Sequence, residues 1–267
     1  MHSSDQNQMN TIFHKTLLFI FVIIFPLSSS VAKEPVKMSK KTTKITGFLY
    51  GLGFSTSNQI YKGYNQRTML LPLIGYQGEN LTLFGPFISY KIKTFNKLKV
   101  SVKLSPRFQG FNASDSDFFQ GMKERKSSMD AGIDLTYKQD DWQINISSMF
   151  DILNRSNGYE IKSAVSRMYR FGPVFVQPSA SVSFLDSRMV NYYYGVSESE
   201  INPQRTAYLG QKSQNIALGL SISTPLFLGG YTRLNIEHLW FDANITNSPL
   251  VEGNSSLSLQ LFFTRNF

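Results

Sequence analysis

Charged side chains recur at every second position in several segments of the chain, and these residues have the clearest chemical potential. Six of them are Lys99, Lys103, Asp130, Asp134, Arg233 and Glu237. Pairs of carboxylates can perform general acid–base chemistry. When they alternate with apolar residues beside lysine and arginine, however, they more often line a water-filled interior. We therefore interpret these six residues as lumen-facing charges rather than catalytic groups.

Other catalytic and metal chemistry has little support in the sequence. His238 is the one histidine beyond residue 32, and the chain has no cysteine. A histidine-activated nucleophile needs a positioned imidazole, and a zinc site needs several Cys or His ligands. Alternation puts His238 on the same apolar face as Ile236 and Trp240. We expect a protein that is not an enzyme and that uses no metal and no cofactor.

The N-terminal residues predict export. Lys15 precedes an uninterrupted apolar run at 17–27, and small residues then lead to Ala32 and the charged Lys33. This order is typical of a signal peptide cleaved between Ala32 and Lys33. The apolar run is well short of the roughly 20 residues that a spanning helix needs. The predicted organisation is a signal peptide at 1–32, a flexible lysine-rich segment at 33–44 and one domain at 45–267.

Composition narrows the class of that domain. Aromatic residues make up 14% of the chain and charged residues 17%, and the charged share is below the usual quarter for globular proteins. An exported, aromatic-rich chain with no further run long enough to span as a helix is typical of a bacterial outer-membrane β-barrel. The net charge of +9 fits anionic lipid and lipopolysaccharide as partners, and export makes nucleic acid an unsuitable one.

Alternation of apolar and polar residues supports the barrel. The run Ile216, Leu218, Leu220, Ile222 is one of eleven such segments, and another spans 81–92. Their lengths approach the roughly 9–11 residues that cross a bilayer at a tilt. We predict an all-β, antiparallel transmembrane barrel with short periplasmic turns and longer external loops at 112–128, 186–213 and 242–255. Because bacterial barrels normally have an even number of strands, ten and twelve both remain open.

The last segment carries a more specific signal. Leu261, Phe263 and the terminal Phe267 share one face, with polar residues between them. This pattern resembles the C-terminal strand that the outer-membrane assembly machinery reads. We interpret these three residues as the assembly signal.

A string of tyrosines lies in the longest external connection. Tyr192, Tyr193 and Tyr194 precede Gly195. Tyrosine offers a rigid apolar ring with a polar tip. We expect the string to pack its loop against the barrel mouth, and stacking on a ligand is the alternative.

Five local strings also resemble one known family. They are LPLIGY at 71–76, RKSSMDAG at 125–132, NRSNG at 154–158, YYYGVS at 192–197 and NSPLV at 247–251. In this order they resemble the MipA/OmpV family of outer-membrane proteins over nearly the whole chain beyond residue 46. The chain departs from the family at 61–64, where an acidic residue often follows the glycine, so no ligand role is carried over to that loop.

The resemblance implies an outer-membrane location in a Gram-negative bacterium. It also implies a scaffold that holds two murein-remodelling enzymes together, a lytic transglycosylase and a murein synthase. The alternative is a small-solute pore or ligand-binding barrel involved in the envelope or in antibiotic response.

Overall fold

A computed structural model describes residues 46–267. The predicted cleavage site at Ala32 and Lys33 and the segment 33–44 lie outside the described residues. Thirteen strands dominate the described part: β1 Gly47–Asn58, β2 Gln66–Gln77, β3 Leu81–Phe84, β4 Phe87–Phe95, β5 Leu98–Arg107, β6 Ser128–Gln139, β7 Trp142–Asp151, β8 Tyr159–Arg167, β9 Tyr169–Phe171, β10 Val174–Leu185, β11 Ser213–Thr224, β12 Tyr231–Trp240 and β13 Ser255–Asn266. Two helices, α1 Ser187–Tyr194 and α2 Ala243–Thr246, lie in the loops. Short 3₁₀ turns span Ala113–Asp115, Asp117–Phe119 and Glu198–Glu200.

The strands form one closed antiparallel sheet. Apart from β8 and β9, each strand pairs with its neighbours along the chain, and β1 pairs with β13 to close the ring. Both β8 and β9 pair with β10 on the same side, so together they fill one position in the wall. The barrel therefore has twelve strands, which confirms the predicted fold class and decides between the two predicted strand numbers.

The twelfth strand comes from the segment 81–92, which the alternation pattern presented as a single strand. Gly85 and Pro86 form a tight turn that divides it into β3 and β4. Gly85 has a φ of 55°, in the left-handed region that glycine adopts at low cost. The Gly-Pro pair is itself a turn signal, but the apolar residues on both sides of it predicted one continuous strand.

Connections differ sharply between the two ends of the barrel. The end that holds both Leu49 of β1 and Asn266 of β13 has short connections at 78–80, 96–97, 140–141, 172–173 and 225–230. The other end has longer loops at 59–65, 108–127, 152–158, 186–212 and 241–254. By the usual rule for outer-membrane barrels, the short turns are periplasmic and the long loops external.

Helices contribute nothing to the wall. Within residues 46–267, no helix is long and apolar enough to cross a membrane.

The two faces of the wall differ in chemistry. On β1, Phe48 and Leu52 point outward and are 63% and 56% exposed. On β6, Asp130, Asp134 and Thr136 point inward and are buried. An apolar exterior and a polar interior are the arrangement that a lipid-embedded barrel requires.

The seam between the first and last strands leaves no room for a side chain at Gly51. A Cβ built there would lie 1.9 Å from the backbone oxygen of Phe263. At Gly53, two residues on, a Cβ would meet only side chains, the ring of Phe262 at 3.1 Å and Cδ1 of Leu73 at 3.3 Å, and side chains can move more easily than a paired strand.

We expect Gly51→Ala to destabilise the folded barrel by about 1–3 kcal/mol, the usual cost of overpacking. Gly53→Ala is the matched control and should cost clearly less. The measurement is the temperature at which the folded band is lost in a heat-modifiability gel. Equal midpoints for the two variants would contradict the close approach at Gly51.

Candidate functional site

The external loops fold together into an aromatic core above the barrel, which we call the cap. Four loops and the end of β10 supply its buried members: Ile60, Tyr61, Phe111, Phe119, Met122, Leu185, Met189, Val190, Tyr193, Tyr194, Val196, Ile245, Leu250 and Val251. Phe111 stacks on Phe119 with ring centroids 4.1 Å apart, and Tyr61 stacks on Tyr194 at 5.5 Å. Aromatic pairs at such separations contribute stability beyond their buried area. The cap is therefore packed as a hydrophobic core.

Helix α1 carries the tyrosine string into the cap. It begins after Asp186, whose carboxylate accepts a hydrogen bond from the backbone N–H of Met189 at 3.1 Å and so caps the helix. It ends at Gly195, where a Cβ would lie 2.3 Å from the carbonyl oxygen of Asn191. A side chain at position 195 would therefore force the helix end to move.

The structure separates the three tyrosines by environment. Tyr193 and Tyr194 are buried in the cap, whereas Tyr192 is half-buried and its hydroxyl accepts a hydrogen bond from the backbone N–H of Lys126 at 2.9 Å. The hydroxyl of Tyr61 donates to the carbonyl of Tyr193 at 3.2 Å. Burial raises the pKa of Tyr61, Tyr193 and Tyr194, so all three stay neutral. Two of the three predicted loop tyrosines thus lie inside the cap, and one lies at its surface.

A buried carboxylate ties two of the loops together. Glu200 accepts hydrogen bonds from Arg125 at 2.9 Å, from the backbone of Ser197 at 3.0 Å and from the backbone of Lys123 at 2.9 Å. Burial alone would raise the pKa of Glu200, but these hydrogen bonds outweigh it and lower the pKa to about 2. Glu200 is therefore ionised throughout the physiological range.

Arg205 supplies a second tie between the same loops. It is 1% exposed. Its guanidinium donates to the carbonyls of Glu200 at 2.8 Å and Gln120 at 3.2 Å, and also to that of Phe118. A buried guanidinium needs such acceptors, because an unpaired buried charge is very costly.

Below the cap, the structure places the six predicted charges on inward-facing strand positions: Lys99 and Lys103 on β5, Asp130 and Asp134 on β6, and Arg233 and Glu237 on β12. Lys103 and Asp134 contact each other directly, with Nζ 2.6 Å from the carboxylate. Asp130 is paired with Arg107 at 2.6 Å. Of the four predicted charges on β5 and β6, Lys103 and Asp134 thus pair with each other. Asp130 pairs with Arg107, which was not among the predicted residues.

The remaining predicted charges lie apart from that group. Glu237 contacts Lys162 at 3.5 Å. Lys99 lies opposite Thr136 on β6. Arg233 is exposed near the periplasmic end, with its guanidinium 5.9 Å from the ring centre of Tyr231. The six residues are therefore distributed around the lumen and do not form one cluster.

Sequence reasoning missed the residue that connects the lumen charges, Arg107. Its guanidinium donates to Asp130 at 2.8 Å and to Glu160 at 2.6 Å, and so links β5, β6 and β8. The signal was available, because Arg107 continues the alternation of Lys99 and Lys103. The prediction stopped before Pro106, which weakens a strand pattern.

A cavity of about 310 Å³ lies between the cap and the lumen. Tyr61 and Tyr194 of the cap bound it together with Arg107, Lys162 and Glu237 of the barrel. Two wider clefts, of about 790 and 530 Å³, lie among the external loops. The described residues offer a chamber lined by both charged and apolar side chains beneath an apolar lid. No group of three His, Cys, Asp or Glu among them is placed to hold a metal ion.

The predicted assembly signal lies at the outer surface. Leu261 pairs with Phe54 and Phe263 with Leu52, both on the lipid-facing side of β1. Phe267 is 86% exposed, and its ring lies 4.9 Å from that of Tyr50.

His238 lies on the same side of the wall as the apolar residues of β12. It pairs with Leu257 of β13, and its imidazole stacks on Trp240 with ring centroids 4.3 Å apart. This position keeps the imidazole away from the lumen carboxylates.

We expect Tyr193→Ala to destabilise the cap by about 3–5 kcal/mol, because it removes a fully buried ring. The hydroxyl of Tyr193 is buried and finds no hydrogen-bond partner among the described residues. Tyr193→Phe should therefore be neutral or slightly stabilising. Hydrogen exchange of the α1 amides measures both variants. A loss of protection in Tyr193→Phe as large as in Tyr193→Ala would show that the hydroxyl, not the ring, holds the cap.

The depressed pKa of Glu200 makes cap stability depend on pH in one direction. Because the folded-state pKa of about 2 lies below the ordinary glutamate pKa of 4.5, ionised Glu200 stabilises the cap above pH 4.5, and this contribution is lost as the pH falls towards 2. Glu200→Gln should loosen residues 195–209 at neutral pH, and its difference from wild type should shrink on acidification. The exposed Glu198→Gln is the control. Hydrogen exchange at each pH would refute this if the difference stayed constant.

Comparisons with known proteins agree with the barrel geometry. A model of the family described as MltA-interacting protein MipA matches residues 50–267. The putative outer membrane protein YiaT of Escherichia coli (strain K12) is 27% identical, over 78% of this chain and 86% of its own length. The MltA-interacting protein of the same strain is 29% identical, over 77% of this chain and 84% of its own length.

Among solved structures, the NanC porin is 8% identical and has a TM-score of 0.38, with 83% of this chain and 100% of that chain covered. That likeness is too low to support an argument about function. The family match, in contrast, runs from β1 to the final residue and confirms the resemblance seen in the five strings. The chain therefore belongs to the MipA family and is an outer-membrane β-barrel.

Proposed function

We propose that this protein is a non-conducting, non-enzymatic barrel that holds murein-remodelling enzymes, a lytic transglycosylase and a murein synthase, at the inner face of the outer membrane. The observation that carries the proposal is the aromatic cap over the external end. A relative that shares 29% identity is named MltA-interacting protein, and this name supports a murein enzyme as partner.

The cap disfavours conduction for a physical reason. A porin-type channel needs a continuous aqueous path through its lumen. Here Tyr61, Phe119 and Tyr193 are at most 2% exposed and pack on one another at the external end. Displacing such rings would remove the burial that stabilises the loops. We infer that the barrel is stable in a closed form.

The short connections at the periplasmic end, which we call the periplasmic rim, expose residues that could bind a protein partner. The connection at 225–230 exposes Leu226, Phe227 and Leu228, which are 61%, 57% and 80% exposed. Exposed cations on the rim are Lys97, Lys138, Arg170, Arg233 and Arg265, and they outnumber the exposed carboxylates of the same turns, Glu79, Asp140 and Asp141. An apolar centre with a charged periphery is the usual anatomy of an interface. The positive rim favours an acidic partner surface.

The surface area that the rim can bury against a partner is the main constraint on this interface. A specific complex usually buries about 800 Å² on each partner, and a single short turn cannot supply that. We therefore infer that the 225–230 turn acts together with neighbouring turns of the same end.

We expect the purified barrel to recover a lytic transglycosylase or a murein synthase from a periplasmic extract. Phe227→Ser combined with Leu228→Ser should lower the recovery several-fold, because it removes the apolar centre. Leu209→Ser is the matched control, since Leu209 is also exposed but lies in an external loop. Recovery of neither enzyme by wild type, or equal recovery by the rim variant, would count against the proposal.

A second candidate is a barrel that binds a small charged solute, with a role in envelope or antibiotic response. The chamber beneath the cap favours it, because Arg107 and Lys162 face Glu160 and Glu237 there. Such a site could hold a zwitterion without letting it pass.

We expect the refolded chain to be electrically silent in a planar bilayer, because the cap blocks the external end. Folding is checked by gel mobility in the same sample. Steady, ion-selective openings would overturn the closed-barrel proposal and favour a pore.

A further inference from the structure

The wall of the barrel is incomplete on its external half between β2 and β5. The pairing of β2 with β3 ends at Gly75 and Phe84, and that of β4 with β5 begins at Ile88 and Leu104. External to those pairs, the described residues place no strand between β2 and β5. We call this opening, bounded below by the turn at Gly85, the lateral gap.

The direction of backbone groups along β2 follows from one hydrogen bond. The carbonyl of Ile74 accepts from the N–H of Gly85. Each strand residue directs its N–H and C=O to the same edge of the strand, and successive residues alternate between the two edges. Thr68, Leu70 and Pro72 therefore direct their backbone groups to the same edge as Ile74, which is the edge that borders the gap. Pro72 carries no N–H.

β5 forms the other edge of the gap and also directs a proline towards it. The carbonyl of Lys97 accepts from the N–H of Lys138 on β6. Odd-numbered residues of β5 therefore bond to β6, and Pro106 is directed to the gap. Prolines thus occupy both edges at positions where an N–H would otherwise have no partner in the sheet.

The gap needs a polar occupant, and the prolines restrict what it can be. An unsatisfied backbone group in hydrocarbon costs several kcal/mol, so open edges are tolerated only beside protein, water or another polar group. A strand added from another protein would need regular donors along both edges. Pro72 and Pro106 remove donors on both sides, which favours an amphiphile over an added strand.

One arginine closes the external end of the gap. Arg67 of β2 donates to the hydroxyl of Tyr64 at 3.1 Å and to the carbonyls of Phe108 and Gly110. Phe108 borders both the chamber beneath the cap and the external cleft of about 530 Å³. Arg67 therefore holds in place the segment that separates these two spaces.

The surroundings of the gap specify the kind of amphiphile. Leu70 and Ile74 flank it on the lipid side and are 68% and 74% exposed. The cleft of about 530 Å³ next to it is lined by four cations, Arg67, Arg125, Lys126 and Arg155, and by two carboxylates, Asp115 and Glu124. Arg125 is also paired with Glu200, so the cations exceed these carboxylates by one. An apolar flank on the lipid side, beside a polar opening and a cleft with more cations than carboxylates, matches a lipid with acyl chains and a phosphate-bearing head group.

We propose that the lateral gap admits a lipopolysaccharide molecule from the outer leaflet, with part of its polar head group between β2 and β5, a phosphate near the basic cleft and its acyl chains against Leu70 and Ile74. Inward-facing residues of β2 then contact lipid, which they cannot do in a complete wall. Met69 and Leu71 are those residues, and both are half-buried.

The test places a photoactivatable amino acid at Met69 or Leu71 of the full chain in outer-membrane vesicles. Mass spectrometry of the adducts should show lipopolysaccharide at both positions. Ser181, which faces inward on β10 across the barrel, is the negative control, and the outward-facing Leu70 is the positive control. In the same vesicles, Arg155→Ala should lower the adduct yield at Met69, because it removes an exposed cation from the basic cleft.

Gel mobility confirms folding of each variant. Lipid adducts at Leu70 with none at Met69 and Leu71 would overturn the proposal. Adducts with phospholipid alone would overturn the choice of lipopolysaccharide, and adducts with another protein would favour strand addition instead.

Discussion

Every backbone amide and carbonyl in a membrane-spanning sheet has to find a partner, because hydrocarbon supplies none. In this protein the pairing of β1 with β13 closes the sheet and meets the requirement everywhere except at the lateral gap between β2 and β5. Closure in turn requires that apolar and polar residues alternate along each strand and that charged side chains face the lumen. It also requires a glycine at the seam between β1 and β13. The remaining features of the molecule are arranged on this ring.

The hydrophobic core lies outside the part of the chain that spans the membrane. The lumen holds ion pairs such as Lys103 with Asp134, and the cap above it holds the packed aromatic rings. The two regions meet where Tyr61 and Tyr194 border the chamber that contains Arg107. The loops are therefore stabilised in the way a small soluble domain is stabilised, by burial and by buried polar ties such as that of Glu200.

Sequence alone predicted the barrel, the polar inner and apolar outer faces of its wall, and its long and short connections. It could do so because apolar and polar residues alternate with a period of two, which can be read directly from the sequence. It missed the turn at Gly85 and Pro86, since the surrounding apolar pattern continued through it. Arg107 was missed because Pro106 interrupts the reading of β5. The cap could not be predicted, because its contacts join loops as distant as Tyr61 and Tyr194, and no local pattern encodes such pairings.

The pairing of Leu49 with Asn266 joins residues from almost opposite ends of the described chain. Contacts of such long sequence separation form slowly, because a large loop has to be closed before any bond rewards it. Until β13 is in place, both β1 and β12 present unpaired edges to their surroundings. The barrel therefore has no closed intermediate of smaller size, and its insertion is completed only when β13 joins β12 to β1.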